Sequence, residues 1–402
     1  MTFRALIILL LSSVTAHAFD RDASLSVYQT YTENPDPDKN DIYIFDNQTL
    51  QGIEWRENWK ARPFRRVKFG SQLIVKINGA SDDEILSQAI TSATPNRSPK
   101  LRNVFKEEET IHGEATFEKL LLKGYKRSFS WTIGRFPIDM SKTYLFRPND
   151  FFGPYSITQF DRSYKPGVDS LQMRYALGGT SQLRATGVVG YCTTEGEEPP
   201  PTKGDTVCES QSSGLLEFGF SLLDHQWDAF AGKVRKYNVI GLSGQGELSK
   251  RFATHFEFHE AFHTEVEDFF YYDLVFGLDI RLTKSFLLQP EYYFHGQGYA
   301  TVEEYSERDE PTAPDNYLGN QYGGFNLTYR YSSLTTFSLQ SQYNMVDNSS
   351  LSSIMMRHNY AQNADLLVSI AIPGGEEPIA DEIQSEFGTL PKFANITTSI
   401  YF

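Results

Sequence analysis

Phe393-Ala394-Asn395-Ile396-Thr397-Thr398-Ser399-Ile400-Tyr401-Phe402 closes the sequence. Ala394, Ile396, Thr398, Ile400 and Phe402 share one parity; Asn395, Thr397, Ser399 and Tyr401 share the other. Successive side chains of a strand point to opposite faces, so this is a strand with one greasy and one polar side. The same period recurs upstream. Leu171, Met173, Tyr175 and Leu177 alternate with Gln172, Arg174 and Ala176. Phe325, Leu327, Tyr329 and Tyr331 alternate with Asn326, Thr328 and Arg330, and Phe337, Leu339, Tyr343 and Met345 with Ser338, Gln340, Gln342 and Asn344. A soluble sandwich also alternates, but its apolar faces must meet inside. Here the polar parity carries Arg, Glu, Gln and Asn in numbers that suit a wet interior, and the apolar parity is banded with aromatics near strand ends. Apolar toward lipid and polar toward a lumen is the pattern of a transmembrane barrel.

Connection lengths point the same way. Gly178–Ser181, Asp224–Gln226, Lys250-Arg251, Thr283-Lys284, Ser332–Leu334 and Gln362-Asn363 are tight turns, whereas 80–109, 138–167, 193–212, 298–318 and 373–392 are long. Short turns at one end and long loops at the other match the periplasmic and extracellular ends of such barrels. The count from residue 65 to 402 is about sixteen antiparallel strands in an all-β fold, with roughly fourteen to eighteen admissible. Segment 227–236 fits least, since Lys233 shares parity with Trp227. Residues 19–64 form either a periplasmic N-terminal segment or an extra hairpin from Ser24–Thr32 and Asp41–Glu54, which would make eighteen.

Residues 1–18 read as a secretory signal peptide: Arg4, an apolar run from Ala5 to Leu11, and Ala16-His17-Ala18 as the cleavage site. That run is too short for a membrane helix, which needs roughly 20 residues. The formal charge of -14 argues against nucleic acid as a partner. Cys192 and Cys208 are the two cysteines, and an exported chain with one pair is expected to bridge it.

Thr398-Ser399-Ile400-Tyr401-Phe402 resembles the C-terminal signal of Gram-negative outer-membrane β-barrels, which implies that Phe402 is read by the barrel-assembly machinery. A second resemblance covers roughly residues 128–180. Gly134-Arg135-Phe136-Pro137, Leu145-Phe146-Arg147-Pro148-Asn149-Asp150-Phe151-Phe152 and Lys165-Pro166-Gly167-Val168-Asp169-Ser170-Leu171 look like a segment of a porin-like family of poorly characterised channels. The implied setting is the bacterial outer membrane, with its lipid and lipopolysaccharide. The implied activity is passage of small solutes.

Three groups of residues carry candidate chemistry. His259-Glu260-Ala261-Phe262-His263 matches the zinc-peptidase string, which requires a helix to bring both imidazoles to one metal. Phe256, Phe258 and Phe262 alternate with His255, Glu257, His259 and His263, so the segment is a strand. Its two histidines then stand about 13 Å apart at roughly 3.3 Å per residue, too far for one zinc. No metal, cofactor or catalytic residue is therefore expected. Parity next assigns Lys76, Glu114, Glu118, Arg174, Arg184, Glu217, Glu247, Glu257, Asp273, Asp279, Arg281, Glu291, Arg330 and Arg357 to the lumen, where such charges set ion preference. Finally, loop 138–167 contains Arg147, Asp150, Asp161 and Arg162, which would narrow a pore if the loop folds inward; packing outside on its own aromatics is the competing expectation.

The sequence thus reads as a channel for small polar or charged solutes through a water-filled lumen, either monomeric or as a homo-oligomer. The competing readings are a structural or adhesive barrel with partner-binding loops, and an outer-membrane hydrolase. Trp131, Tyr175, Tyr191, Tyr292 and Tyr329 are expected in interfacial aromatic belts.

Overall fold

The computed structural model describes residues 19–36, 39, 43, 47–82, 96–159, 162–192, 206–266, 269–307, 317–380 and 382–402. The expected signal peptide, 1–18, lies outside them. Alternating sequence becomes long antiparallel strands: β1 (Phe19–Glu33), β2 (Asn47–Phe64), β3 (Val67–Ala80), β4 (Arg102–Glu108), β5 (Ile111–Lys126), β6 (Phe129–Phe136), β7 (Val168–Gly178) and β8 (Ser181–Val188). A short hairpin follows, β9 (Tyr191–Cys192) with β10 (Thr206–Val207). Then come β11 (Ser213–Leu222), β12 (His225–Val234), β13 (Tyr237–Glu247), β14 (Phe252–His263), β15 (Phe270–Arg281), β16 (Phe286–His295), β17 (Gln321–Arg330), β18 (Thr335–Asn344), β19 (Ser350–Ala361), β20 (Ala364–Gly374) and β21 (Lys392–Tyr401).

Among the described residues, setting aside β4 and the β9–β10 hairpin, 18 strands pair in sequence, and β1 pairs antiparallel with β21. The sheet closes on itself, so no strand of the ring lacks a neighbour, as a lipid-embedded sheet demands. The expected count of about sixteen is corrected to eighteen. The extra pair is β1–β2, which joins the wall along its full length, from Phe19↔Ala61 to Glu33↔Asn47. Gln29 and Gln51 sit on its otherwise apolar parity and blurred the alternation there.

The outward face is apolar. Ile53, Ile77, Ile133, Leu216, Ile240, Ile354, Ile370 and Ile396 are all more than two-fifths exposed. Aromatic rings stack across neighbouring strands in two bands. Phe286, Tyr329 and Phe337 lie toward the turn end, with centroids 4.2 and 6.4 Å apart. Phe262 with Phe270 and Tyr272 with Phe294 lie toward the loop end, at 6.3 and 5.0 Å. An apolar belt bounded by aromatic girdles is the surface a bilayer selects. Tyr191 departs from its expected place in a belt: it lies in the β9–β10 hairpin and donates to Asp169 at 3.2 Å. Cys192 and Cys208 are bonded and pin that hairpin.

The wall is irregular at one place. β6 ends at Phe136, short of the rim reached by β5, and the chain turns inward there. Above β6, β4 pairs with the upper half of β5, from Arg102↔Thr116 to Glu108↔Ile111, and fills the vacated position. Asp169 donates its backbone amide to Asn96 just below. Gly134 makes the break (φ +118), since a Cβ there would stand 2.1 Å from the Leu120 carbonyl oxygen. Gly167 marks the return, where a Cβ would stand 2.3 Å from the Glu118 carbonyl oxygen.

Candidate functional site: the infolded loop and the lumen

Residues 137–159 and 162–167 fold into the barrel. Two lumen-wall carboxylates hold them. Glu257 on β14 accepts from Ser141 Oγ (2.6 Å), Thr143 N and Thr143 Oγ1 (2.9 Å each), Asn149 N (3.1 Å) and Lys142 N. Glu291 on β16 accepts from the amides of Tyr144 (2.6 Å), Leu145 (2.9 Å) and Phe146 (3.0 Å), and pairs with His255 Nε2 at 2.9 Å. Both carboxylates are almost fully buried. A loop leaves its amides without strand partners, and a buried amide without an acceptor costs about 1–3 kcal/mol. Here two acids supply the missing acceptors.

Side chains extend the grip. Asn149 bonds His259 Nδ1 at 3.0 Å and donates to Ser243 Oγ at 2.8 Å. Lys142 pairs with Asp228 on β12 at 2.8 Å. Phe151 and Phe152 are buried against Val188, Leu215, Phe230 and Tyr271. Phe146 is fully buried beside Tyr293, Tyr317, Tyr322 and Phe387. The far side of the loop reaches Arg357 on β19, whose guanidinium donates to Ser163 Oγ at 2.8 Å. Tyr164 lies under the guanidinium of Arg56 on β2, 3.4 Å from its ring centre. The inner wall is therefore not wet throughout. Its loop-end half on β7–β16 is an apolar seat for the loop, signalled in the sequence by Val168, Leu215, Phe230 and Val275 on the otherwise polar parity.

Two of the loop charges singled out above, Arg147 and Asp150, face one another. Arg147 donates to Asp139 (2.6 Å), to Asp150 (3.4 Å) and to the Thr143 carbonyl (3.3 Å). Asp150 is buried and also binds Lys165. Burial pushes its carboxyl up to about 6, with Lys165 and Arg147 opposing that rise. Arg162 donates to the carbonyls of Tyr144 and Leu145 and lies over the Tyr144 and Tyr155 rings. Asp161 lies outside the described residues.

The wall charges pair locally. Lys76 meets Glu54 at 3.1 Å, Glu114 meets Arg102 at 2.6 Å, and Glu118 meets Arg97 at 2.7 Å. Arg184 meets Glu217 at 2.9 Å and Arg281 meets Glu247 at 3.1 Å. Asp279 accepts from Gln289 at 2.8 Å, and Asp273 accepts from Gly296 N at 2.9 Å with His295 beside it at 3.1 Å. Arg174 and Arg330 stand exposed toward the turn end. His259 and His263 lie on the extended strand β14, so the zinc-peptidase string does not take its helical form.

Two features escaped the sequence reading. The first is the anchoring role of Glu257 and Glu291, which parity placed inward only as charges. The second is the cationic side of the lumen on β2–β5, where Lys119 stands close to Arg56 and Lys60. Lys60 pairs with Asp22 at 2.9 Å. Lys68 and Lys123 form no ion pair among the described residues, and Lys119 feels the neighbouring Glu118, which is itself paired with Arg97. Below the loop, toward the turn end, a cavity of about 790 Å³ is lined by Lys142, Tyr144, Glu247, His255, Asp279 and Arg281, among others.

No protein-family model and no curated protein sequence matches this chain. Solved structures do match it in shape. The crystal structure of Acinetobacter baumannii OccAB4 superposes with a TM-score of 0.57 at 10% identity, over 96% of this chain and 98% of that one. Pseudomonas aeruginosa OccK5 (OpdH) gives 0.56 at 10% identity, over 95% and 98%. The outer membrane protein OprD of Pseudomonas aeruginosa gives 0.54 at 9% identity, over 97% and 96%. The fold is that of a porin-like outer-membrane β-barrel.

Proposed function

We propose that this porin-type barrel is a channel of the bacterial outer membrane for small polar or charged solutes, anions above all. Its tight turns face the periplasm and its long loops the exterior. The observation that carries the reading is the lopsided lumen. Glu257 and Glu291 seat the infolded loop on the β14–β16 wall, while Lys68, Lys119 and Lys123 line the β3–β5 side, Lys68 and Lys123 without an ion pair among the described residues. A ring of this many strands encloses an aqueous bore unless it is plugged. Charges lining such a bore set ion preference.

In this reading the loop makes the constriction, and Tyr164 against Arg56 is where it reaches the β2 wall. Arg147, Asp150 and Arg162 act within the loop, Arg147 by pairing with Asp150 and Arg162 by holding the Tyr144 and Leu145 carbonyls, rather than offering charge to the solute. Lys76, Arg174, Arg184, Arg330 and Arg357 line the route. Glu114, Glu118, Glu217, Glu247, Asp273, Asp279 and Arg281 tune the field through their partners. Phe402 serves as the assembly signal, and lipid and lipopolysaccharide form the barrel's surroundings.

Purified, folded protein in a planar bilayer tests this. Discrete conductance steps and a reversal potential favouring anions are expected. Absence of conductance from inserted barrels refutes the channel reading and favours a structural or adhesive barrel.

A further inference from the structure

The chain is strongly acidic, yet two stretches, 58–81 and 119–138, contain no Asp or Glu. The fold sets them side by side. The β2–β3 turn is Arg65-Arg66, and the β5–β6 turn carries Arg127 after Lys126. β3 and β5 are neighbours, so both turns occupy one sector of the turn-end rim. Tyr125 ties them together: its amide donates to the Arg66 carbonyl at 3.1 Å and its hydroxyl to the Arg65 carbonyl at 3.2 Å.

Arg62, Arg65, Arg66, Lys126 and Arg127 are all exposed in this sector, and none forms an ion pair among the described residues. Apolar rings stand among them: Phe64 is 70% exposed and Phe129 37%. Elsewhere on the rim the charges are mixed. Lys250 and Arg251 occupy another turn, but Glu247 stands near it and is paired with Arg281.

A dense cationic patch needs anionic counter-charge, and exposed rings at the border of an apolar belt sit at headgroup depth. Together these match a phosphate-bearing lipid surface better than a soluble partner, because rings and charges share one rim. We propose that this rim sector binds the phosphate headgroups of anionic phospholipids in the adjoining leaflet. The proposal rests on the membrane residence inferred above and not on conduction.

The full chain is folded into nanodiscs of phosphatidylcholine with or without a minor share of cardiolipin or phosphatidylglycerol. Lipids retained after detergent extraction are then counted by native mass spectrometry. The wild type is expected to enrich anionic lipid about fivefold or more over phosphatidylcholine, since several cations each attract an anionic surface. R65Q/R66Q/K126Q/R127Q should lose most of that enrichment while still inserting into neutral nanodiscs with unchanged single-channel conductance. Should the quadruple variant fail to fold, the R65Q/R66Q and K126Q/R127Q doubles carry the same test, each losing part of the enrichment. Equal retention of both lipid types by the wild type overturns the proposal, as does undiminished retention by the folded variants. Binding of a soluble polyglutamate peptide at this rim without lipid enrichment also overturns it and assigns the patch to an acidic protein. Failure to insert into neutral nanodiscs would count against membrane residence itself.

Discussion

At the scale of single residues, two carboxylates do most to shape the interior. Glu257→Ala leaves five hydrogen-bond donors of the loop without their acceptor. The expected cost is about 3 kcal/mol or more for the loop's seated position. Single-channel recordings of the variant should show larger and noisier conductance, and unchanged traces would refute the anchoring role. Glu386, in the loop between β20 and β21, offers a pH test. It accepts from Tyr322 (2.5 Å) and Asn344 (2.7 Å), and burial pushes its carboxyl up to about 7. An acid whose folded value lies above its ordinary 4.5 is penalised when ionised. The packing of 375–392 is therefore tightest below about pH 4.5 and loosens as pH rises toward 7. Limited proteolysis of this loop should accelerate between pH 5 and 8 in the wild type and far less in Glu386→Gln. Parity pointed Glu257 and Glu291 inward because facing is a period-2 property. It could not show what they hold, because their partners are backbone amides more than 100 residues away, which no side-chain pattern encodes.

Among the elements, the infolded loop and its flanking glycines form one unit. Gly134→Ala introduces a Cβ against the Leu120 carbonyl at a left-handed φ, so the wall can no longer break where the loop leaves it. Shortening 139–164 to a brief Gly-Ser link is expected to raise conductance roughly twofold or more, since the bore of so large a barrel is then unobstructed. Conductance equal to the wild type would place the constriction elsewhere. The Cys192–Cys208 bond belongs to this scale too. Replacing both with Ser should lower the stability of the β9–β10 hairpin by roughly 3 kcal/mol in chain-entropy terms, while leaving conductance unchanged. The strand elements were legible wherever Ile, Leu and aromatic residues hold one parity, as in β7, β17, β18 and β21. The β1–β2 hairpin was less so, because glutamines and Glu57 interrupt its outward side. β4 was hidden inside a long loop: it exists only because β6 stops early, a tertiary circumstance.

The whole molecule is an inside-out object, and substitutions on neighbouring residues should separate its two surfaces. Ile370 faces outward and is 47% exposed, whereas Ser369, one residue away, is turned inward and buried. Ile370→Arg is expected to cost about 2–4 kcal/mol, measured by urea titration of folding into vesicles. Ser369→Arg should spare insertion and alter ion selectivity instead. Equal destabilisation by both would contradict the assigned facing.

The ring is completed where Phe402 exchanges backbone hydrogen bonds with Ala23, and where Ser26 meets Ser399 across 373 residues of sequence. No local event can make that join. Until the final strand arrives, the growing sheet has two raw margins whose amides pair as readily with another polypeptide as with each other. Loss of the last hairpin should thus be felt as aggregation of the entire product, not as a slightly smaller version of the same vessel.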